Sequence, residues 1–202
     1  MLEGGQYGSP STKQRINNLN NNINIMALTC KLNRDILRTT SCGYSLPEVK
    51  DIYLANYADV TTTVSADSGG CETVSSITLS NEEKFYHIEP AKNSTTFEDT
   101  LVVEDSGNKY RTHSLTFNIS GKYDACLHRD LDNLALGRYV AVVATADGSY
   151  LMLGRLGGLE AETATISGGG DTNGLQIVLS GNVTESAVPL SDGAIATVKG
   201  TV

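Results

Sequence analysis

The amino-acid sequence predicts a mainly β protein carrying one packed α-helix, and three observations point that way. The chain has 202 residues with 20 glycines, three phenylalanines and no tryptophan. Such a composition suits short strands and tight turns, and it leaves Val, Leu, Ile and Tyr to build the core. From Met26 onward, short apolar runs alternate with turn signals rather than forming long amphipathic stretches. One segment, residues 122–136, switches to helical period.

In chain order, residues 1–25 are polar and Asn-rich and bury little, so they read as an arm or extension, with a second plausible start at Met26. Residues 26–202 read as a single β-rich domain. MALTCKL opens it, and residues 31–47 read as a loop or short helical turn. DIYLANYADV has strand character, TVSADSGGC reads as a loop, and TVSSITLS and KFYHIEP read as strands. AKNSTTF is turn-prone. LVVED and KYRTHSLTFNIS flank Ser106-Gly107-Asn108 as a hairpin. In its second arm His113, Leu115, Phe117 and Ile119 share one face and Thr112, Ser114, Thr116 and Asn118 the other, the mark of a half-buried strand.

Within 122–136, Tyr123, Leu127, Leu131 and Leu134 form a stripe that predicts docking on a sheet, and Gly137 offers the stop. RYVAVVATA and SYLMLGRL flank Asp147-Gly148, a type I′ hairpin signal. The first of these arms is apolar on both faces and predicts a central strand covered on both sides. EAETATIS, the loop GGGDTNG and LQIVLSGNV repeat the hairpin pattern. The tail AIATVKGTV reads as an edge strand or an exchanged one. No fixed-period repeat is present.

The formal charge of −8 repels nucleic acid and offers no counterion-release energy, which argues against a sequence-reading nucleic-acid binder. The same charge lets a polyanion pass without sticking. The cysteines Cys30, Cys42, Cys71 and Cys126 form no C-x-x-C pair and match no zinc spacing. Reduced and mostly buried thiols are expected. No run approaches the length of a membrane-spanning helix.

Motifs with chemical meaning reduce to plain readings. GGGDTNG lacks the Lys-Ser/Thr ending of a phosphate loop, and Asp171 and Asn173 lack the downstream carboxylate of a calcium loop. His87, His113 and His128 show no metal-ligand spacing. Cys126 and His128, two apart on a helix, point to different faces, and Cys126 is expected to pack against the sheet. Glu82 and Glu83 read as solvated charges. Glu160 and Glu162, at period two, are placed to share a strand face. No nucleophile elbow or carboxylate cleft emerges, so no enzyme, no cofactor and no metal is expected.

MALT followed by DIYLANYADV, SLTFNIS leading into a helix that ends at LALGRYVAVV, the hairpin ADGSYLMLGRLGGLEA, then GGGDTNG, LQIVLSG and ESAVPL together resemble a family of small virion proteins of tailed phages, similar to those of phages infecting gut Bacteroidetes. The resemblance spans residues 26–190. It implies a tail-tube-like fold, a β-sandwich or rolled β-barrel with one packed helix, and a structural subunit of the tail tube. Such subunits assemble as hexameric rings that stack around a DNA-conducting lumen. The implied partners are further copies of the chain and other virion tail or neck proteins. DNA passes without specific binding, no membrane is involved, and the protein resides in the virion after assembly in the host cytoplasm.

Rings also suit the sequence, because an exposed strand edge is a liability in a monomer and a closed ring pairs it. The loops expected to reach a neighbour span 61–72 and 90–97. The assembly interface is placed at Asp67, Ser68, Gly69, Gly70 and Cys71, at Lys92, Asn93, Ser94, Thr95 and Thr96, and on the arm before Met26. A neck, tail-terminator or capsid-decorating role, and a soluble β-sandwich module binding carbohydrate or protein, are the alternatives.

Overall fold

The computed structural model describes residue 36 and residues 48–68, 70–120, 125–168 and 174–200. The chain divides into two units, Met1–Thr39 and Thr40–Val202, and all the described strands and helices belong to the second. The arm of residues 1–25, the opening run MALTCKL, the 31–47 segment apart from Ile36, Tyr123 and the centre of the GGGDTNG loop lie outside the described residues.

Eleven strands and two α-helices are described: β1 Val49–Asn56, β2 Val60–Ala66, β3 Glu72–Leu79, β4 Tyr86–Ile88, β5 Thr96–Val103, β6 Lys109–Ile119, α1 Ala125–Leu136, β7 Arg138–Thr145, β8 Tyr150–Leu153, β9 Leu159–Ser167, β10 Gly174–Val183, β11 Val188–Pro189 and α2 Asp192–Gly200. Every ladder between these strands is antiparallel. β2 and β3 form a two-stranded sheet, and the other nine strands form one large sheet.

The large sheet forks at β7. One edge of β7 pairs with β1 from Tyr139 to Thr145. On its other edge, Arg138 and Tyr139 pair with β9, and the next stretch, Ala141–Ala144, pairs with β8. Two layers diverge from this fork, β4-β1-β7-β8-β11 and β9-β10-β6-β5. Between them lies a core built from Ile52, Leu54, Ala141, Val143 and Leu153 on one side and Leu115, Phe117, Leu175, Ile177 and Leu179 on the other. The opposite face of β1, β7 and β8 carries Tyr53, Ala55, Val140, Val142 and Met152, which pack with Val74, Ile77, Ala194 and Val198 of β3 and α2. β7 is thus buried on both faces, as its doubly apolar pattern requires, and the fold is mainly β and sandwich-like.

Three β-bulges decide which side chains reach these cores. Lys50, Ser75 and Glu162 are each left without a partner where the register shifts. A bulge inserts one residue and reverses the in–out alternation beyond it. Val49 and Ile52 can therefore both point into one core, and Val74 and Ile77 into the other. In β9 the bulge breaks the period-two relation expected to align Glu160 with Glu162 and puts Ala161 and Ala164 opposite the buried Leu179 and Ile177.

Several expected elements are corrected. DIYLANYADV is not one strand: β1 ends at Asn56, a 3-10 turn spans Tyr57–Asp59, and Val60 starts β2. Asp59 fixes this break by accepting from the Ser80 N–H and, through Oδ1, from the Asn81 side-chain amide at 2.5 Å. The supposed loop at 63–71 is strand as far as Ala66, so little of 61–72 is free loop, and β5 begins at Thr96, inside the expected 90–97 loop.

Asp147-Gly148 does not form a type I′ turn. Only Gly148 has positive φ (90°), Gly148 N–H donates to the Thr145 carbonyl, and Thr145 N–H donates to the Ser149 carbonyl. That pattern is a type I turn followed by a glycine bulge, and it recurs at Glu104–Asn108 with Gly107.

The tail is not a strand. The Ser191 carbonyl and Oγ accept from Ile195 and Ala194 at the start of α2, Asp192 lies in the first turn and Lys199 in the last, an arrangement that favours a helix over an edge strand. Its buried residues, Ala194 and Val198, are four apart, one helical turn.

Candidate functional site

The two segments expected to form the assembly interface sit on different elements. Asp67 and Cys71 close the β2–β3 hairpin: Asp67 N–H donates to the Cys71 carbonyl, Gly70 N–H donates to the Asp67 carbonyl, and Cys71 N–H donates to Asp67 Oδ1 at 2.8 Å. Ser68 is exposed on this tip, and Gly69 lies outside the described residues.

The second segment is fastened to the body. Ala91 N–H and Ser94 Oγ–H both reach the Asn118 carbonyl, and Asn93 N–H reaches Glu48 Oε1 at 3.2 Å. Asn93 adopts φ +57°, a left-handed turn conformation that asparagine tolerates. Lys92 is exposed, Thr95 is half-buried and Thr96 belongs to β5.

Sequence reasoning missed what lies at the borders of the sheet. Among the described strands, β5 pairs only with β6, and β4 pairs only with β1, so each leaves one edge open. On β5, Leu101 is 53 % and Val103 57 % exposed, and Tyr86 of β4 is 50 % exposed. Leu101 and Val103 are in register with Arg111 and Lys109, beyond the stretch where Phe97 joins the core. The β5–β6 hairpin therefore projects an apolar strip past the sandwich. Strand order carries this information, and strand order is not written in local periodicity.

Beside β4 a cleft of about 950 Å³ opens toward the core, walled by Leu54, Ile88, Ile119, Leu131, Leu134 and Tyr139. The α1 stripe (Leu127, Leu131, Leu134) is half-buried along it, which agrees with docking on the sheet, while Leu136 at its end is 89 % exposed. Burial, with a smaller effect of Glu83, raises the Tyr139 phenol above its ordinary value.

A buried polar cluster is the other feature the sequence hid. Arg111 Nε donates to Asp99 Oδ1 at 2.5 Å, and Ala187 N–H donates to Oδ2 at 2.9 Å. Burial raises the Asp99 carboxyl. Its bonds from Arg111 and then Ala187, and the charges of His113 and Arg111, outweigh burial and hold the group below its ordinary range.

His113 is 1 % exposed. Its Nδ1 accepts the Gly154 N–H at 3.1 Å. Its Nε2 lies 3.4 Å from Asp99 Oδ1, a charge contact without the geometry of a full hydrogen bond. Burial lowers its basicity more than Asp99 restores it. Next to this cluster Arg155 holds Glu185 through Nε at 2.8 Å and through Nη2, and its Nη1 reaches Thr62 Oγ1 at 3.4 Å. These groups tie β5, β6, the turn after β8, the 185–187 segment and β2 together. The closed surroundings of His113 suit a staple rather than a site of turnover.

The remaining expected residues are dispersed. His87 Nε2 meets Asp51 Oδ1 at 2.9 Å, and its ring stacks on Tyr53 at 5.0 Å. Glu160 pairs with Arg138 at 2.7 Å. Cys126 is exposed on α1 and does not pack against the sheet, while Cys71 is half-buried at its hairpin. Among the described residues no three His, Cys, Asp or Glu side chains cluster as metal ligands, and no helix is long and apolar enough to cross a membrane. Asp171 and Asn173 lie outside the described residues, although Ser167 and Gly174 on either side pair as a hairpin. Compared with protein families and with curated proteins, the sequence matches no family model and no curated sequence.

Proposed function

We propose that the protein is a non-enzymatic structural subunit of a phage tail tube. Copies join edge to edge into hexameric rings, and the rings stack around a lumen that conducts DNA. The observation that carries the reading is the open sheet border at β5, with another at β4. β5 is eight residues long and projects Leu101 and Val103 into solvent, and an exposed apolar edge strand is a template for pairing with another chain. Dissimilar open edges such as β4 and β5 suit a head-to-tail contact, and such a contact closes into a ring when its rotation permits.

The resemblance of residues 26–190 to tailed-phage virion proteins supports the same reading, and the net charge of −8 suits a conduit for a polyanion. The finer assignment to the tail tube, rather than to a neck, terminator or decoration role, rests on the resemblance alone. Negative-stain electron microscopy of the purified full-length protein tests the proposal. Rings that stack into tubes are expected. Single rings that never stack favour a terminator or neck role, and a monodisperse monomer at high concentration defeats the assembly reading.

A further inference from the structure

Resting on that ring reading, we infer that the end of the β5–β6 hairpin of one copy seats Leu101 and Val103 in the cleft between β4 and α1 of the next copy around the ring. Of the seven large hydrophobic side chains that stand exposed among the described residues, four lie at these two places: Leu101 and Val103 on the hairpin end, Tyr86 and Leu136 at the cleft. Leu101 and Val103 are two apart on one strand and share a face, so they present a joint apolar surface. It is the face from which Phe97 enters the core and Asp99 meets His113, continued past the end of the sandwich.

The length of β6 decides whose hairpin fills the cleft. Val103 is in register with Lys109 at the start of β6, and Ile119 at the end of β6 walls the cleft. Lys109 and Ile119 are ten residues apart in a single strand, which is about 33 Å. A chain therefore cannot place its own hairpin end in its own cleft. A second copy can. Because the two surfaces lie at opposite ends of one strand, they meet head to tail, the kind of contact that closes into a ring.

Backbone pairing alone does not account for such a contact. β4 is three residues long, so its open edge offers β5 only a short ladder, and apolar contact has to supply the rest. The cleft, about 950 Å³, has room for several side chains, and Ile88, Leu131 and Leu134 on its walls are only half-buried in the single chain. The charges are compatible. The hairpin end carries Glu104 and Asp105 against Lys109, all exposed. Beside the cleft, Arg129 is 72 % exposed and pairs with its neighbour Asp130 at 3.4 Å, and Lys84 lies over the Tyr86 ring. With Asp130 and Glu89 the mouth is neutral as a whole, so the acidic turn meets two cations and no net like charge.

Cross-linking of the assembled full-length protein tests the contact. Val103→Cys/Leu136→Cys alters two exposed positions, so the fold is expected to stand. A short bismaleimide should join position 103 of one chain to position 136 of the next. Peptide mass mapping identifies that link and separates it from links through the native cysteines. Denaturing gels should show a ladder that ends at the ring's own copy number. Rings without the 103–136 link, or a ladder running beyond one ring, overturn this contact and leave the ring reading standing. Absence of rings in the wild-type protein defeats the ring reading and this contact with it. A second variant blocks the cleft: Tyr86→Lys/Leu136→Lys should keep the wild-type melting temperature and remain at 21.5 kDa at concentrations where the wild type assembles. Rings formed by this folded variant overturn the contact.

Discussion

His113 Nδ1 accepts a hydrogen bond from the Gly154 backbone N–H at 3.1 Å in a site closed to water. This contact fixes the imidazole as the neutral tautomer with its proton on Nε2, aimed at Asp99. A charged ring would carry a proton at Nδ1, facing a donor that then has no acceptor.

Stability should therefore fall on acidification in two windows. His113 has a lowered basicity when folded, so below its ordinary value near 6.5 the unfolded chain takes up the proton first, and stability drops as pH falls toward the folded value. Asp99 is held below its ordinary range. Its contribution is complete above that range and is lost as pH falls further, through its folded value. Melting temperatures measured from pH 7.5 to pH 3 should show both declines. In His113→Asn, whose amide oxygen can accept from Gly154 but does not titrate, the upper decline should flatten. An unchanged slope between about pH 7 and pH 5 would separate the effect from His113.

Removing the arginine that holds Glu185 should cost more than a surface pair is worth. Arg155 and Glu185 are 16 % and 14 % exposed, and Arg155→Ala leaves a carboxylate with little water. A loss of about 2 kcal/mol is expected, read from urea denaturation. The double variant Arg155→Ala/Glu185→Ala should be less destabilised than the sum of the singles, since it leaves no unpaired charge.

Glycine positions should divide by what surrounds them. A Cβ at Gly181 would sit 2.1 Å from the Gly158 carbonyl oxygen, where β10 passes the turn before β9. Gly181→Ala should therefore lose at least ~2 kcal/mol or fail to fold. Gly107 has φ +87° and open space around it, so Gly107→Ala should cost only about 1 kcal/mol, from backbone strain alone. Thermal melts of the two variants, compared with wild type, check the ordering.

Charging the open edge should separate folding from assembly. Leu101→Lys/Val103→Lys alters two exposed side chains outside both cores. The variant should therefore keep the wild-type circular-dichroism spectrum and melting temperature while losing ring formation in sedimentation velocity. Rings that persist would place the contact elsewhere, with the Asp67–Cys71 hairpin tip the next candidate.

Much of the fold was legible because several strands state their burial locally. β6 alternates cleanly from His113 to Ile119, and β7 is apolar at every position from Val140 to Ala144; both patterns match the two cores. The misread stretches share a physical cause. Where a bulge follows an apolar residue, the next inward residue comes three positions later, as from Val74 to Ile77, and that spacing imitates neither a strand nor a full helix. In α2 the run Ala194-Ile195-Ala196 looks strand-like until Ser191 is recognised as its cap.

The open borders of the sheet were hidden more deeply. β5 is a border because of sheet order, which joins β1 to β7 across most of the domain and leaves β5 last in its layer. The His113–Asp99–Arg111 cluster likewise forms only once β5 and β6 are in register with Asp99 opposite His113.

Self-association through the open sheet edges is read from the mass of the protein in solution. Sedimentation velocity of the full-length protein across a concentration series should reveal a discrete closed species several times heavier than the 21.5 kDa protomer, with longer stacks at high concentration. A single 21.5 kDa species at every concentration would contradict ring assembly.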